Sequence, residues 1–171
     1  MSGIVIPNFG RGSGPVNQWS RPAFFAGPSG AQSPLPCANV YTKIALGYLD
    51  YDTDNCFDHV TYYRFTPNVP GWYYVYAAWG ANLGASNRLL IQIYKNGSVA
   101  GNRARGSTIN GGTYVNEDQA FIQYAVLMNG IDDYLELWYR LEPVGASRYG
   151  ISNDGTYMGA WRIENFVPAI S

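Results

Sequence analysis

Apolar and polar residues alternate with a period of two along much of the chain, and the segment 133–141, "DYLELWYRL", shows this most clearly. Its apolar positions Leu135, Leu137 and Tyr139 are separated by Glu136, Trp138 and Arg140. This period is typical of a β-strand that turns one face toward a core. The same pattern in other short segments predicts a protein built from strands.

The segment 63–79, "YRFTPNVPGWYYVYAAW", is unusually rich in rings. Pro67 and Pro70 disfavour a helix, and a run of tyrosine and valine favours a strand. A proline-glycine turn between two aromatic runs indicates strand, turn, strand. Rings on both faces of residues 71–79 suggest that both faces are covered, one by the chain's own core and the other by a second copy of the chain.

Nine short strands are predicted, one of them a short piece near 99–105, and no amphipathic helix. The bounds of the other eight are 22–26, 39–46, 59–65, 71–79, 88–96, 119–128, 133–141 and 156–163. Turns such as "NVPG", "KNGS", "MNGIDD" and "SNDG" separate them. Many short strands at this spacing predict an all-β sandwich or barrel.

The first 21 residues form a different kind of segment. Glycine and proline recur every few positions, which defeats regular structure, yet apolar residues and arginines are interspersed. The candidate docking residues among them are Ile4, Val5, Ile6, Phe9, Arg11 and Trp19. We interpret residues 1–21 as an extended N-terminal docking arm that binds a partner or its own oligomer, and residues 22–171 as one domain. The arginines of this segment could bind an acidic surface of a partner, or they could simply be exposed to solvent, and the sequence leaves both interpretations open.

Composition supports association and excludes several classes of protein. Charged residues make up 13% of the 171 residues and aromatic residues 16%, which argues against disorder. A net charge of -1 predicts no nucleic-acid partner. No apolar run approaches the roughly 20 residues of a membrane span, so no membrane insertion is expected, and no secretory signal is visible. Cys37 and Cys56 either pair or stay free, and the rarity of disulfides in a reducing cytosol favours free thiols.

The order of several motifs resembles a known family. They are "PAFFA", "NCFD", "YRFTPNVPGWYYV", "YKNGS", "MNGIDDYLELWY" and "YMGAWRI". Together they resemble the jelly-roll superfamily of the complement component one-q globular head and tumour necrosis factor, over about Pro22 to Ile163. Ile131 and Asp132 are an insertion relative to the family's Gly-Asp turn, and no collagen-like stalk is present.

The resemblance implies a jelly-roll β-sandwich of about ten short antiparallel strands that forms a compact homotrimer. The sheet carrying the first, third, sixth and last strands would pack toward the threefold axis. On that basis we predict seven trimer-interface residues: Phe24, Trp72, Tyr74, Tyr76, Tyr124, Tyr157 and Trp161.

The segments "NCFD…YRFTPNV" and "YKNGS" are most similar to versions of the fold in virion proteins of tailed bacteriophages. This implies a non-enzymatic structural protein that decorates or cements the capsid, or is attached to the tail, through its arm. It would assemble in the host cytoplasm, contact other virion proteins and leave by lysis. The alternative is a knob that attaches the virion to a host receptor or surface glycan through loops such as 80–88, 106–118 and 144–155.

Candidate chemistry is sparse, and we predict no enzyme, no catalytic residue and no cofactor. His59 is the only histidine, nothing resembles a nucleophile elbow, and a polar strand residue is the simpler interpretation. Asp50, Asp52 and Asp54 are weak candidate calcium ligands, although the EF-hand pattern is not met. Arg103 and Arg105 are too few for a nucleic-acid footprint and fit either a partner carboxylate or a solvated edge.

Overall fold

The computed structural model describes residues 21–30, 40–82, 88–101, 105–109, 118–142, 149–151 and 155–163. The predicted docking arm therefore lies outside the described residues, except for Arg21. The same holds for Cys37, for Arg103 and for the side chain of Arg105.

Every regular element in these ranges is a strand, which confirms the all-β prediction. In chain order they are β1 Ala23–Gly27, β2 Thr42–Lys43, β3 Tyr48–Asp52, β4 Phe57–Asp58, β5 Arg64–Phe65, β6 Gly71–Asn82, β7 Arg88–Lys95, β8 Ser98–Val99, β9 Arg105–Ile109, β10 Asp118–Met128, β11 Leu135–Glu142, β12 Tyr149–Ile151 and β13 Tyr157–Arg162. The described ranges contain no helix that is long and apolar enough to cross a membrane.

The strands form two antiparallel sheets. The first sheet has the order β10-β6-β13-β1-β3, and β12 also pairs with β6. The second has the order β4-β5-β11-β7-β8, with β2 paired to β11 and β9 to β7. Strands that follow one another in sequence often lie in opposite sheets, and the first and last strands are neighbours. This is the jelly-roll sandwich that the sequence predicts.

The core lies between the two sheets and is supplied by alternate residues of each long strand. In β6, Tyr73 and Val75 are fully buried, whereas their neighbours Trp72, Tyr74 and Tyr76 lie on the opposite face and are half-buried. In β11, Leu135, Leu137 and Tyr139 are buried as predicted. Period-two burial across paired strands gives each sheet one face toward the core.

Stacked rings occupy the centre of this core. The Phe24 ring lies with its centroid 4.4 Å from that of Phe57 and 4.6 Å from that of Phe65. Trp79 packs 4.3 Å from Tyr139, joining the two sheets. Such contacts between offset or tilted rings stabilise a core beyond the area that they bury.

Two tight turns at one end are tied together by one carboxylate. Asn96 and Gly97 both have positive φ, 51° and 77°, and join β7 to β8 as the predicted "KNGS" turn. The Asp133 carboxylate binds the Lys95 ammonium at 2.7 Å and accepts hydrogen bonds from Asn96 Nδ2 and the Asn129 amide. This links the β7–β8 turn to the loop between β10 and β11.

Three strand predictions are wrong in detail. Residues 59–62 form a turn instead of the start of a strand, so His59 is a turn residue. The cause is Asp58, whose carboxylate accepts hydrogen bonds from the amides of Val60 and Thr61. The predicted strand 39–46 is reduced to β2. The strands β3, β4 and β12 are additional to the prediction, and β9 overlaps the predicted piece near 99–105 only at Arg105.

Candidate functional site

The outer face of the first sheet, which points away from the core, carries a continuous layer of rings. We call this surface the aromatic face. It comprises outward-pointing residues of five strands: Phe25, Tyr51, Trp72, Tyr74, Tyr76, Phe121, Leu127, Tyr157 and Trp161. Register places them together, because Tyr76 is paired with Gly159 and Tyr74 with Trp161 across β6 and β13.

The rings of the aromatic face contact one another directly. The Trp161 ring lies 4.6 Å from Tyr74 and 5.3 Å from Tyr76, between ring centroids. Phe25 lies 5.3 Å from Tyr157 and 6.4 Å from Tyr51. These distances fall in the range of favourable ring pairs, so the layer holds its shape as one surface.

A glycine makes room for the central ring. The side chain of Tyr76 lies over Gly159, and a Cβ at residue 159 would come within 2.4 Å of the Tyr76 ring. Only glycine allows that approach. The glycine of the "YMGAW" motif is therefore explained by the packing of the Tyr76 ring against it.

Two hydroxyls of the aromatic face are engaged within it. Tyr74 donates a hydrogen bond to Gln123 Oε1. Burial raises the pKa of the Tyr76 phenol well above its usual range, and the neighbouring Tyr51, with which it hydrogen-bonds, raises it further. The Tyr76 phenol therefore stays neutral, and both hydroxyls are hydrogen-bonded within the face.

The aromatic face is also exposed and contains a shallow depression. Phe121 is 59% exposed, Trp161 44% and Leu127 43%. The depression has a volume of about 480 Å³, and Tyr74, Phe121, Gln123 and Trp161 contribute to its walls. Among the first-sheet strand residues whose side chains are described, Asp50 is the only charged one that points outward. Exposed apolar surface of this kind marks an interaction site.

The structure places five of the seven predicted interface residues on the aromatic face: Trp72, Tyr74, Tyr76, Tyr157 and Trp161. Phe24 and Tyr124 are misassigned. Phe24 is 0% exposed and stacks inside the core. Tyr124 pairs with the buried Val75, points inward and packs against the core.

Phe25 takes the place of Phe24, and Tyr51, Phe121 and Leu127 are additional. Phe25, Phe121 and Leu127 were missed because adjacent apolar residues, as in "AFF" and "YAVL", leave the face of each one undecided. Tyr51 was missed because β3 was not predicted. The pairing of Phe25 with Gly159 and of Phe121 with Ala78 decides it.

The outer face of the second sheet has a different character, because its charges are paired. Lys43 binds Glu136 at 3.2 Å, and Glu136 also accepts the indole N–H of Trp138. Arg88 and Arg140 both contact Glu142. Tyr94 and Trp138 stack at 4.8 Å beside these pairs. This face carries ion pairs between acidic and basic side chains, in contrast to the aromatic face.

The candidate calcium ligands do not converge. The carboxylate of Asp52 accepts hydrogen bonds from the amides of Asp54, Cys56 and Phe57. Asp50 points to the outer face, and Asp54 accepts from the Thr53 hydroxyl. Within the described ranges, no three His, Cys, Asp or Glu side chains are grouped as metal ligands. Asp52 is a turn-forming residue, and the expectation of no cofactor stays a prediction.

Cys56 is a free, buried thiol. Burial, helped by the nearby Asp52 and Asp54 carboxylates and opposed by a hydrogen bond with Asn68, raises its pKa to about 11. A thiol that stays protonated at neutral pH is a poor nucleophile. Cys56 is therefore a core residue.

The fold has counterparts among solved structures. Murine APRIL at pH 5.0 superposes with a TM-score of 0.58 at 10% identity, covering 84% of this chain and 100% of that one. The globular domain of zebrafish complement 1qA protein gives 0.56 at 15% identity, covering 84% and 98%. Eiger TNF from S. frugiperda gives 0.52 at 11% identity, covering 84% and 91%.

These similarities confirm the jelly-roll fold that the sequence motifs indicate. No protein-family model and no curated protein matches the chain. At these identities the similarity establishes the fold and leaves the function to be argued from the surface of this chain.

Proposed function

We propose that this protein, a jelly roll like those of tumour necrosis factor and the complement one-q globular domain, is a non-enzymatic homotrimer that assembles through the aromatic face. The observation that carries the proposal is the aromatic face itself. It is a contiguous layer of rings on an outward-facing sheet, with one charged side chain at its edge.

Physical chemistry favours a second copy as the cover of this face. Obligate interfaces resemble a core cut in half, and they are enriched in tyrosine, tryptophan and phenylalanine and depleted in charge. Rings also lose little side-chain entropy on burial, because they have few rotatable bonds. The overall low share of charged residues, 13%, fits a chain that hides part of its surface in an assembly.

The test is to place a charge in the centre of the aromatic face. Trp161→Glu should convert the assembly to monomers, because a buried carboxylate without a partner is costly. Ile131→Glu is the matched control, since Ile131 is 82% exposed in a loop away from the face. Its mass should equal that of the parent in light scattering. Equal masses for both variants and the parent would contradict assembly through this face.

The finer proposal is a structural role in a bacteriophage virion, on the capsid or the tail, with residues 1–21 as the docking arm. Its support is the resemblance of "NCFD…YRFTPNV" and "YKNGS" to virion proteins. Removing residues 1–21 should leave a folded domain that no longer joins particles. If the shortened protein still co-sediments with virions, the arm has no docking role.

A receptor-binding or glycan-binding knob is the alternative function. Its loops, 80–88, 106–118 and 144–155, lie largely outside the described residues. It predicts that the purified protein binds host cells or a glycan array, and absence of binding to either would count against it.

A further inference from the structure

A pocket at the edge of the aromatic face combines rings with the carboxylate of Asp50, which forms no ion pair with any of the described residues. It lies between the ends of β1 and β3, where β3 is the last strand in the order of the first sheet. We call it the β3-edge pocket. Its volume is about 410 Å³, and its lining residues are Phe25, Gly27, Pro28, Ser29, Tyr48, Asp50, Thr156 and Tyr157. This size is in the usual range of ligand sites.

A β-bulge builds this arrangement. Phe25 pairs with Tyr51 and Ala26 with Leu49, so Asp50 is an extra residue in β3. The bulge keeps Leu49 half-buried while Tyr48, Asp50 and Tyr51 are all exposed. Bulges are typically found where a side chain is directed to a particular place. Here the bulge brings a carboxylate and an additional ring to the same side of an edge strand.

The residues that line the β3-edge pocket favour binding of a positively charged group. Phe25 and Tyr157 lie 5.3 Å apart, and Tyr48 is 57% exposed beside them. Ring faces attract cations, and a carboxylate accepts hydrogen bonds from ammonium or guanidinium groups. The Thr156 hydroxyl is already engaged with the backbone of Gly80. Among the described residues of the lining, Asp50 is the one that carries a charge.

We propose that the β3-edge pocket binds the cationic side chain, arginine or lysine, of a partner polypeptide other than a copy of this chain. The cation lies against Phe25, Tyr48 and Tyr157 and pairs with Asp50. An edge strand beside the pocket suits such a partner, because its outer backbone groups can pair with an extended segment.

The first test uses N-acetyl-arginine methylamide and N-acetyl-lysine methylamide as probes, with the neutral N-acetyl-citrulline methylamide as the charge control. In amide NMR spectra, the cationic probes should cause saturable shifts around Tyr48, Asp50 and Tyr157, with Kd about 5 mM. The citrulline probe should cause none. No saturable shift up to about 50 mM of either cationic probe would overturn the proposal.

Matched variants assign the binding to particular side chains. Asp50→Asn should weaken binding at least about fivefold, whereas Asp132→Asn, which removes an exposed acid from a distant loop, should not. Tyr48→Ala should also weaken binding, and Tyr62→Ala, at another exposed tyrosine, should not. Equal affinity of Asp50→Asn and its control would overturn the proposal.

The mass of the Asp50→Asn variant separates this inference from the proposed trimer. We expect its mass in light scattering to equal that of the parent. A drop to monomer would mean that a neighbouring copy occupies the pocket, which would overturn the outside partner. Phe25 and Tyr157 belong to both the pocket and the aromatic face, so the titration is run on the parent and on Trp161→Glu. Saturable shifts in both proteins would separate the pocket from the trimer interface. Saturable shifts in Trp161→Glu alone would mean that neighbouring copies cover the pocket, which would overturn the outside partner.

Discussion

Phe24 and Phe25 are neighbours in sequence and point to opposite sides of the first sheet. Phe24 stacks on Phe57 and Phe65 inside the core, and Phe25 contacts Tyr51, Tyr76 and Tyr157 on the aromatic face. The same difference separates Tyr124, which packs on the core, from Phe121 and Leu127 in the same strand. Adjacent positions in a strand therefore have different roles. One ring packs in the core of the protomer, and the next is exposed on the outer face, where a partner can contact it.

Alanine substitution at these two positions should separate the two roles. Phe24→Ala removes a fully buried ring and should lower the free energy of unfolding by about 3–5 kcal/mol. Phe25→Ala should cost the protomer less and should shift the mass of the assembly downward at low protein concentration. Urea unfolding and light scattering measure the two effects. Equal loss of stability in the two variants would mean that the faces are wrongly assigned.

The Cys56 thiol gives a second test at this scale. Because burial holds its pKa at about 11, almost no thiolate forms at neutral pH. In a Cys37→Ser background, the native protein should resist iodoacetamide, and full alkylation should follow only in denaturant. Mass spectrometry measures the extent. Rapid alkylation of the folded protein would show that Cys56 is accessible.

At the scale of elements, the turns are held by carboxylates. Asp52 and Asp58 bind the amides of the residues that follow them. Asp133 binds Lys95, Asn96 and Asn129, which belong to two different turns. Asp52, a candidate calcium ligand in the sequence, is in the structure a residue that holds a turn.

The Asp133 link predicts a pH dependence. Burial acts to raise the pKa of Asp133, but the hydrogen bonds from Lys95, Asn96 and the Asn129 amide outweigh it and hold the pKa below the ordinary 3.8. A carboxyl with a lowered folded-state pKa stabilises the fold above the unfolded-state pKa, and this contribution is lost as pH falls through the folded-state value. Stability should therefore decrease below about pH 4.

Comparison of variants isolates this contribution. Asp133→Asn should have a lower free energy of unfolding than the parent at pH 6, and the difference should shrink toward pH 2. Asp132→Asn, at the adjacent exposed acid, is the control and should follow the parent. Urea titrations across this range measure both. A difference between Asp133→Asn and the parent that is constant with pH would exclude the ionised Asp133 as its source.

The sequence is sufficient to predict β6, β10, β11 and β13, because each alternates clearly or carries a continuous apolar run. It fails for β3, where the bulge at Asp50 breaks the period of two. It also fails at His59, where the Asp58 carboxylate accepts hydrogen bonds from two backbone amides and an apparent strand becomes a turn. Side-chain hydrogen bonds to the backbone and bulges depend on how the strands pair and turn in the folded protein. The period of apolar residues along the sequence does not reveal them.

The candidate site is predicted in part for the same reason. Alternation in "WYYVY" assigns Trp72, Tyr74 and Tyr76 to one face once Tyr73 and Val75 are in the core. In "PAFFA" and "QAFIQYAVLM" apolar residues occupy both faces, so the register to β13 and β6 is needed to choose Phe25 and Phe121. The pocket at Asp50 depends on the bulge and is not visible in the sequence.

At the scale of the whole molecule, the two sheets present unlike surfaces to the outside. On the second sheet, Lys43 forms an ion pair with Glu136, and Arg88 and Arg140 form ion pairs with Glu142. The first sheet exposes rings, with Phe121, Trp161 and Leu127 each more than 40% exposed. Such a contrast within one sandwich is expected when one sheet faces solvent and the other faces a partner.

The central claim is that the aromatic face is covered by two further copies of the chain. The most direct measurement is the mass of the purified protein in solution by multi-angle light scattering. A mass of three times 18.9 kDa, independent of concentration over the micromolar range, is the predicted result. A mass of 18.9 kDa under the same conditions would contradict the trimer and would assign the aromatic face to a different partner.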